Sequence, residues 1–202
     1  MKKTYLLLAA LLMLLPSALR AQTDMTSKIQ NADLSSNEGW TITCTEGQNW
    51  ATQKGTAPYN VSEAYAGWGA LTLTEYGISQ KVVLPKGAYE LSGYAFYRYG
   101  EAFSTDPTVS NAVLYAGEEE VPVVTLGSIE GLGTYANSVD DASSQFSQGN
   151  YLNTVAFNVL ADDTEVEIAF KGTHDLMRSW FICGPVKLVQ TSETPIVADL
   201  KS

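Results

Sequence analysis

The chain has 202 residues, with 22 acidic against 12 basic side chains, a formal net charge of −10, one histidine and two cysteines. This excess of negative charge repels a phosphate backbone and an anionic lipid surface, so nucleic acid is not expected as a partner. One histidine and two cysteines fall short of a zinc site, so neither a metal nor a cofactor is expected.

Residues 1–21 read as a signal peptide. Lys2 and Lys3 precede an almost unbroken apolar run from Tyr5 to Leu15, Pro16 ends it, and small residues lead to a cleavage site near Ala21. A run of about eleven residues is too short to span a bilayer of about 30 Å, so no membrane insertion is expected after cleavage. The expected location is periplasmic or extracellular, including the cell surface. Removing 21 of the 202 residues leaves 181, which suits a single domain, and takes away Lys2, Lys3 and Arg20 without any acid, so the remainder carries −13. In an oxidising compartment Cys44 and Cys183 can pair, closing a loop of about 140 residues worth about 4–5 kcal/mol on the chain-entropy view. The alternative is two separate buried thiols.

After residue 21 the period-two pattern dominates. Trp40 to Cys44 alternates apolar and polar, as does Leu71 to Thr74. Further strand-like runs are 78–84, 87–98, 111–116 and 121–127. Val155, Phe157 and Val159 then share one face, as do Val166, Ile168 and Phe170, and a last run spans 180–189. Nine short strands are predicted. Leu84-Pro85-Lys86-Gly87 and Ala161-Asp162-Asp163-Thr164 read as hairpin-like turns, and Gly172 as the close of a strand. Two longer polar connections, 99–110 and 128–150, interrupt the rhythm, and long connections are often functional. Ser138 to Phe146 within the second predicts a short helix capped by Ser138 or Asp140. Residues 22–190 are read as one all-β domain, a two-sheet antiparallel β-sandwich. Residues 191–202 are read as a disordered tail.

The chain has no P-loop, HExxH or GxSxG motif. His174 reads as a solvent-exposed turn residue. A glycosidase needs two carboxylates facing each other across a groove, and candidates such as Glu63, Glu75, Glu90, Glu101 and Asp106 are not placed by sequence. The aromatic run Tyr94-Ala95-Phe96-Tyr97-Arg98-Tyr99 puts apolar groups on both faces of one strand, predicting a central strand covered on both sides. Arg98 has two readings: pairing with a buried acid such as Glu63 or Glu101, or a fork of donors facing a polar ligand. Trp68, between Gly67 and Gly69, is either a stacking platform for a sugar ring or a ring folded over the core edge.

The segment IQNADLSSNEGWTI resembles the opening of galactose-binding-like jelly rolls and related carbohydrate-binding modules. Glu63 to Tyr65, Gln80 to Leu84, Leu84 to Tyr89 and Phe96 to Arg98 resemble, in order, the motifs of a domain common in exported proteins of Bacteroidetes. AVLYAG, FSQGNYLNTVAFNV and SWFICGPVKLV follow in that order. The resemblance implies a jelly roll with first and last strands adjacent, which would bring the strands of Cys44 and Cys183 together, and it implies glycan binding. Where calcium-binding relatives carry an Asp in the last strand, this chain has Gly184 and Pro185, so no obligatory calcium is expected and Asp33 would be the residual ligand. Gly184-Pro185 reads as a bulge. The expected function is a non-catalytic binding module for glycan, with Trp68, Tyr97, Arg98, Tyr99 and Glu101 as the ligand site. The alternative is a structural or adhesion protein of the cell envelope with a protein partner, and a glycoside hydrolase ranks behind both.

Overall fold

The computed structural model describes residues 22–44, 49–53, 59–66, 74–101, 104–105, 108–132 and 134–196. The signal-peptide expectation (1–21), Trp68 and residues 197–202 lie outside the described residues. Among the described residues eleven strands form two antiparallel sheets. In the first, β3 (Asn49–Gln53), β4 (Val61–Tyr65), β11 (Trp180–Ser192), β6 (Gly87–Arg98) and β9 (Leu152–Val159) lie in that order, with β1 (Thr23–Asp24) beside β11. In the second the order is β2 (Thr41–Cys44), β5 (Thr74–Leu84), β10 (Thr164–His174), β7 (Ala112–Ala116) and β8 (Glu119–Pro122). The architecture is a two-sheet β-sandwich. Among the described residues no helix is long and apolar enough to cross a membrane.

Alternation along the strands makes the core. Tyr76, Ile78, Val82 and Leu84 of β5 face Leu91, Ala95 and Tyr97 of β6 and Phe181, Cys183 and Leu188 of β11 in one buried cluster. The opening loop 29–40 ties the two sheets together. Gln80 of β5 exchanges two hydrogen bonds with the Gln30 backbone, at 2.8 and 3.0 Å, and the Val186 N–H of β11 donates to the Ala32 carbonyl at 2.9 Å.

Four expectations are corrected. The turns at 85–86 and 160–163 join no hairpins: β5 and β10 pair with each other in one sheet, β6 and β9 in the other. Both turns are corners where the chain changes layer, a step that a hairpin turn and a sheet crossing both spell with Pro, Asp and Gly. Gly172 does not close its strand. It sits inside β10, where an added Cβ would collide with the Asn111 carbonyl, so glycine is there for close backbone approach. His174 is no exposed turn residue but the fully buried last residue of β10. Cys44 and Cys183 are free thiols: Cys44 pairs with Tyr76 in the second sheet while Cys183 lies in the first, and it is the two-residue β1, not the strand of Cys44, that adjoins β11.

Other expectations hold in detail. The ladder between β11 and β6 shifts register between Cys183 and Val186, a bulge at Gly184-Pro185. The helix α1 spans Val139–Ser147, and the Ser138 hydroxyl accepts from the Asp141 N–H at 3.1 Å as its cap. The expected disordered tail over 191–202 does not begin at 191: β11 runs to Ser192, and the Ile196 backbone exchanges two hydrogen bonds with the Asn158 side chain.

Candidate functional site

The outward face of the first sheet is not bare. Phe96 and Tyr94 of β6, Trp180 and Ile182 of β11 and Val61 of β4 meet Phe146 and Ala142 of α1 and Tyr151 in a second apolar cluster. Phe146 also rests against Gly184, where an added Cβ would approach its ring to 2.8 Å, so the bulge residue lets the helix sit close to the sheet. The strand of aromatics is thus covered on both sides, as its pattern predicts.

Two grooves open on this face, and the start of α1 borders the second of them. On one side Tyr59 and Tyr94, ring centroids 5.6 Å apart, stand with Asp33, Asn60, Ser92 and Lys187. On the other, a groove of ≈ 480 Å³ is lined by Glu63, Tyr65, Arg98, Asn137, Ser138, Val139 and Trp180. Register builds the second groove: Tyr65, Trp180 and Arg98 are direct neighbours across β4, β11 and β6. Glu63 lies two residues before Tyr65 and therefore on the same face.

Arg98 is 5 % exposed and pairs with neither acid that the sequence offers. Glu101 is taken by Arg178 at 2.9 Å, and Glu63 accepts from the Trp180 indole N–H at 2.8 Å. The Arg98 guanidinium lies over the Trp180 ring, 5.2 Å from its centroid. Its Nη1 donates to Asn137 Oδ1 at 3.2 Å and its Nη2 to the Arg178 carbonyl at 3.0 Å, while Nε has no hydrogen-bond partner among the described residues. Arg178 presents that carbonyl from a left-handed conformation, φ 65°, a strained setting for a residue with a side chain. Burial draws the Arg98 guanidinium below its ordinary value, partly opposed by Tyr65. Burial pushes the Glu63 carboxyl up, partly offset by the Trp180 N–H.

The remaining expected site residues are dispersed. Tyr97 points into the sandwich, fully buried, with its hydroxyl 3.2 Å from His174 Nδ1, so it does not face the groove. This is the alternation rule acting one residue away from Arg98. Tyr99 packs partly buried against the main core. Glu101 is exposed at the rim through Arg178. The segment leading toward Trp68 ends, within the described residues, at Ala66, which is bonded to Ser179 and Arg178 beside the groove. Asn137 and Ser138 fall within the long connection 128–150 that the sequence marks as a candidate surface, and Glu63 is among its candidate acids, whereas nothing in the sequence marks Tyr65 or Trp180 as site residues.

No family model matches the chain, and neither does any curated protein. Among solved structures it is similar to a family 61 carbohydrate-binding module, TmCBM61, in complex with β-1,4-galactotriose, at 10% identity and a TM-score of 0.49 over 81% of this chain and 98% of that one. It is also similar to the K3 cleaved adhesin domain of Lys-gingipain from Porphyromonas gingivalis w83, at 14% identity and a TM-score of 0.49 over 83% and 98%. A third is a family 16 carbohydrate-binding module, at 14% identity and a TM-score of 0.41 over 81% and 99%. The likeness is one of fold.

Proposed function

We propose that this chain is an exported, non-catalytic binding module for glycan, and that the groove beside Arg98 is where the sugar sits. The observation that carries this is a guanidinium buried at an open groove with hydrogen-bonding capacity left over. Around it stand an acceptor in Glu63, a hydroxyl in Ser138, an amide in Asn137 and a half-buried ring in Tyr65. Such a set, few polar groups fixed on rigid strands and one helix end, suits the ring faces and hydroxyls of a saccharide. Among the described lining residues Glu63 is the sole carboxylate, whereas glycoside hydrolysis uses two. In this reading Trp68 stays a proposed ligand contact, Glu101 borders the site through Arg178, and Tyr97 supports Arg98 from the opposite face of β6.

A glycan array followed by calorimetry on the folded domain tests the proposal. The expected result is saturable binding of a saccharide with no release of reducing ends. Tyr65→Ala and Asn137→Ala should each weaken it by about tenfold, the size of one lost stacking or polar contact. A folded sample that binds no saccharide overturns it.

A further inference from the structure

We infer that the groove takes a saccharide bearing a carboxylate, an acidic sugar of the uronic type, with that carboxylate on Arg98; this rests on the glycan-binding proposal above and names its ligand class. The chain carries 22 acids, yet the buried Arg98 has no carboxylate within ion-pair distance among the described residues. A buried cation left without a counter-charge is expensive, and proteins keep such groups at sites where a ligand supplies the charge. Of the five guanidinium N–H groups, the two bonds to Asn137 and Arg178 occupy two, which leaves three, including the buried Nε–H. Both present acceptors are neutral oxygens, weaker partners than a carboxylate would be.

A second feature converges on the same place. Asn137, Ser138 and Val139 line the groove at the N-terminal end of the nine-residue α1, where orphan N–H groups and the helix dipole favour negative charge. Asp140 and Asp141 lie in that first turn, but Asp141 is turned onto the Asn137 N–H at 3.2 Å. Among the described residues lining the groove Glu63 is the one acid, and it is engaged by the Trp180 indole N–H at 2.8 Å rather than by Arg98. A carboxylate offers the planar fork of Arg98 two acceptor oxygens at once, which a hydroxyl does not.

The test titrates the mature domain calorimetrically with oligosaccharides of galacturonate, glucuronate and mannuronate, their carboxyl-reduced neutral counterparts, and sulfated neutral oligosaccharides. At least one acidic form should bind about tenfold or more tighter than its reduced counterpart, with affinity falling as salt is raised. Arg98→Gln should erase that preference, and Arg98→Lys should keep the salt dependence while losing affinity, because the ammonium lacks the fork. Should these variants fail to fold, the paired acidic and reduced titrations on the unaltered protein decide alone. Equal or tighter binding of the neutral forms, or a preference for the sulfated ones, overturns the carboxylate inference and leaves glycan binding standing. No binding to any of the panel or to a wider array overturns both.

Discussion

Arg98 lies over the Trp180 ring at 5.2 Å while the same indole donates its N–H to Glu63 at 2.8 Å. The tryptophan thus holds a cation on its face and an acid at its edge, and keeps two opposite charges in one groove without letting them pair. Trp180 is itself buried, with Phe96 edge-on at 5.1 Å, so its role is to position its neighbours rather than to stack on a ligand.

A site that keeps an unneutralised cation should be stabilised by losing it. Arg98→Met preserves the stem and removes the charge, and the freed Asn137 oxygen borders an open groove where water can reach it. The expected outcome is a gain of about 1 kcal/mol, or about 2–4 °C in Tm for a domain of this size, together with loss of ligand binding. A fall in Tm by calorimetry would instead make Arg98 a structural tie.

Acid should weaken the fold through His174. Its Nε2 lies 3.1 Å from the Ala64 carbonyl and so carries the hydrogen, Nδ1 faces the Tyr97 hydroxyl, and Tyr76 stacks on the ring at 4.5 Å. Burial pulls its pKa down from 6.5 to about 4, only partly offset by the Ala64 carbonyl. The unfolded chain therefore takes up a proton near pH 6.5 that the folded chain refuses until about pH 4. The contribution is complete above 6.5 and lost as pH falls through that window, by about 3 kcal/mol in all. Urea unfolding from pH 7.5 to 4 should show this slope, and His174→Gln should flatten it. An equal slope in the variant would place the acid sensitivity elsewhere.

Much of the sandwich is legible in the residues. Alternation at 87–98, 154–159 and 164–170 gives long strands, and the Ser138 cap gives the helix start. What sequence hides is which sheet a strand joins, because the corner at Pro85-Lys86 uses the same residues as a hairpin. It also hides β4, whose Ser62, Glu63 and Ala64 are poor strand formers and are held by pairing with β11. That strand carries Glu63 and Tyr65, so half of the groove is invisible without the fold. Arg98 could be singled out because a cation inside an aromatic run needs an explanation, whereas Tyr97 shares that run and faces the core.

Two glycines on neighbouring strands should respond oppositely to alanine. At Gly77 an added Cβ would meet nothing nearer than the Phe170 carbonyl at 3.5 Å, an ordinary contact. Gly77→Ala is expected to be neutral or to add up to about 0.5 kcal/mol by restricting the unfolded chain. At Gly172 the Cβ would strike the Asn111 carbonyl and come within 2.6 Å of the Tyr76 hydroxyl. Gly172→Ala should cost about 3 kcal/mol or more, since backbone and a buried ring must both shift. Denaturant midpoints for the pair check this, and equal effects would mean the β10–β7 contact is looser than described.

The thiols should behave as two separate groups. Under non-reducing denaturing conditions a thiol reagent should count two per chain. In the folded protein Cys44, half-buried, should react slowly, and Cys183, fully buried with its pKa raised by burial, should not react until the chain unfolds. Mass spectrometry showing a Cys44–Cys183 crosslink would contradict the placement of their strands in opposite sheets.

The two corners that sequence presents as hairpins are fastened to each other. The Asp162 carboxylate accepts from the Lys86 backbone N–H at 2.8 Å, linking the turn from β5 to β6 with the turn from β9 to β10. On either side, Leu84 pairs with Thr164 in one sheet and Gly87 with Val159 in the other, so this one bond closes the end of the sandwich where both layers begin to ladder. Asp162→Ala leaves the Lys86 N–H at the exposed surface with water as its partner, which limits the cost to about 1 kcal/mol. Asp162→Asn keeps an acceptor oxygen and should recover most of it. Asp163, beside it at φ 56°, should gain from glycine, because only the backbone conformation is at stake there. Thermal unfolding of the three variants orders them Asp163→Gly, Asp162→Asn, Asp162→Ala from most to least stable. If Asp162→Ala matches the unaltered protein, the corners hold together without this bond, and the strand ladders alone set the crossing.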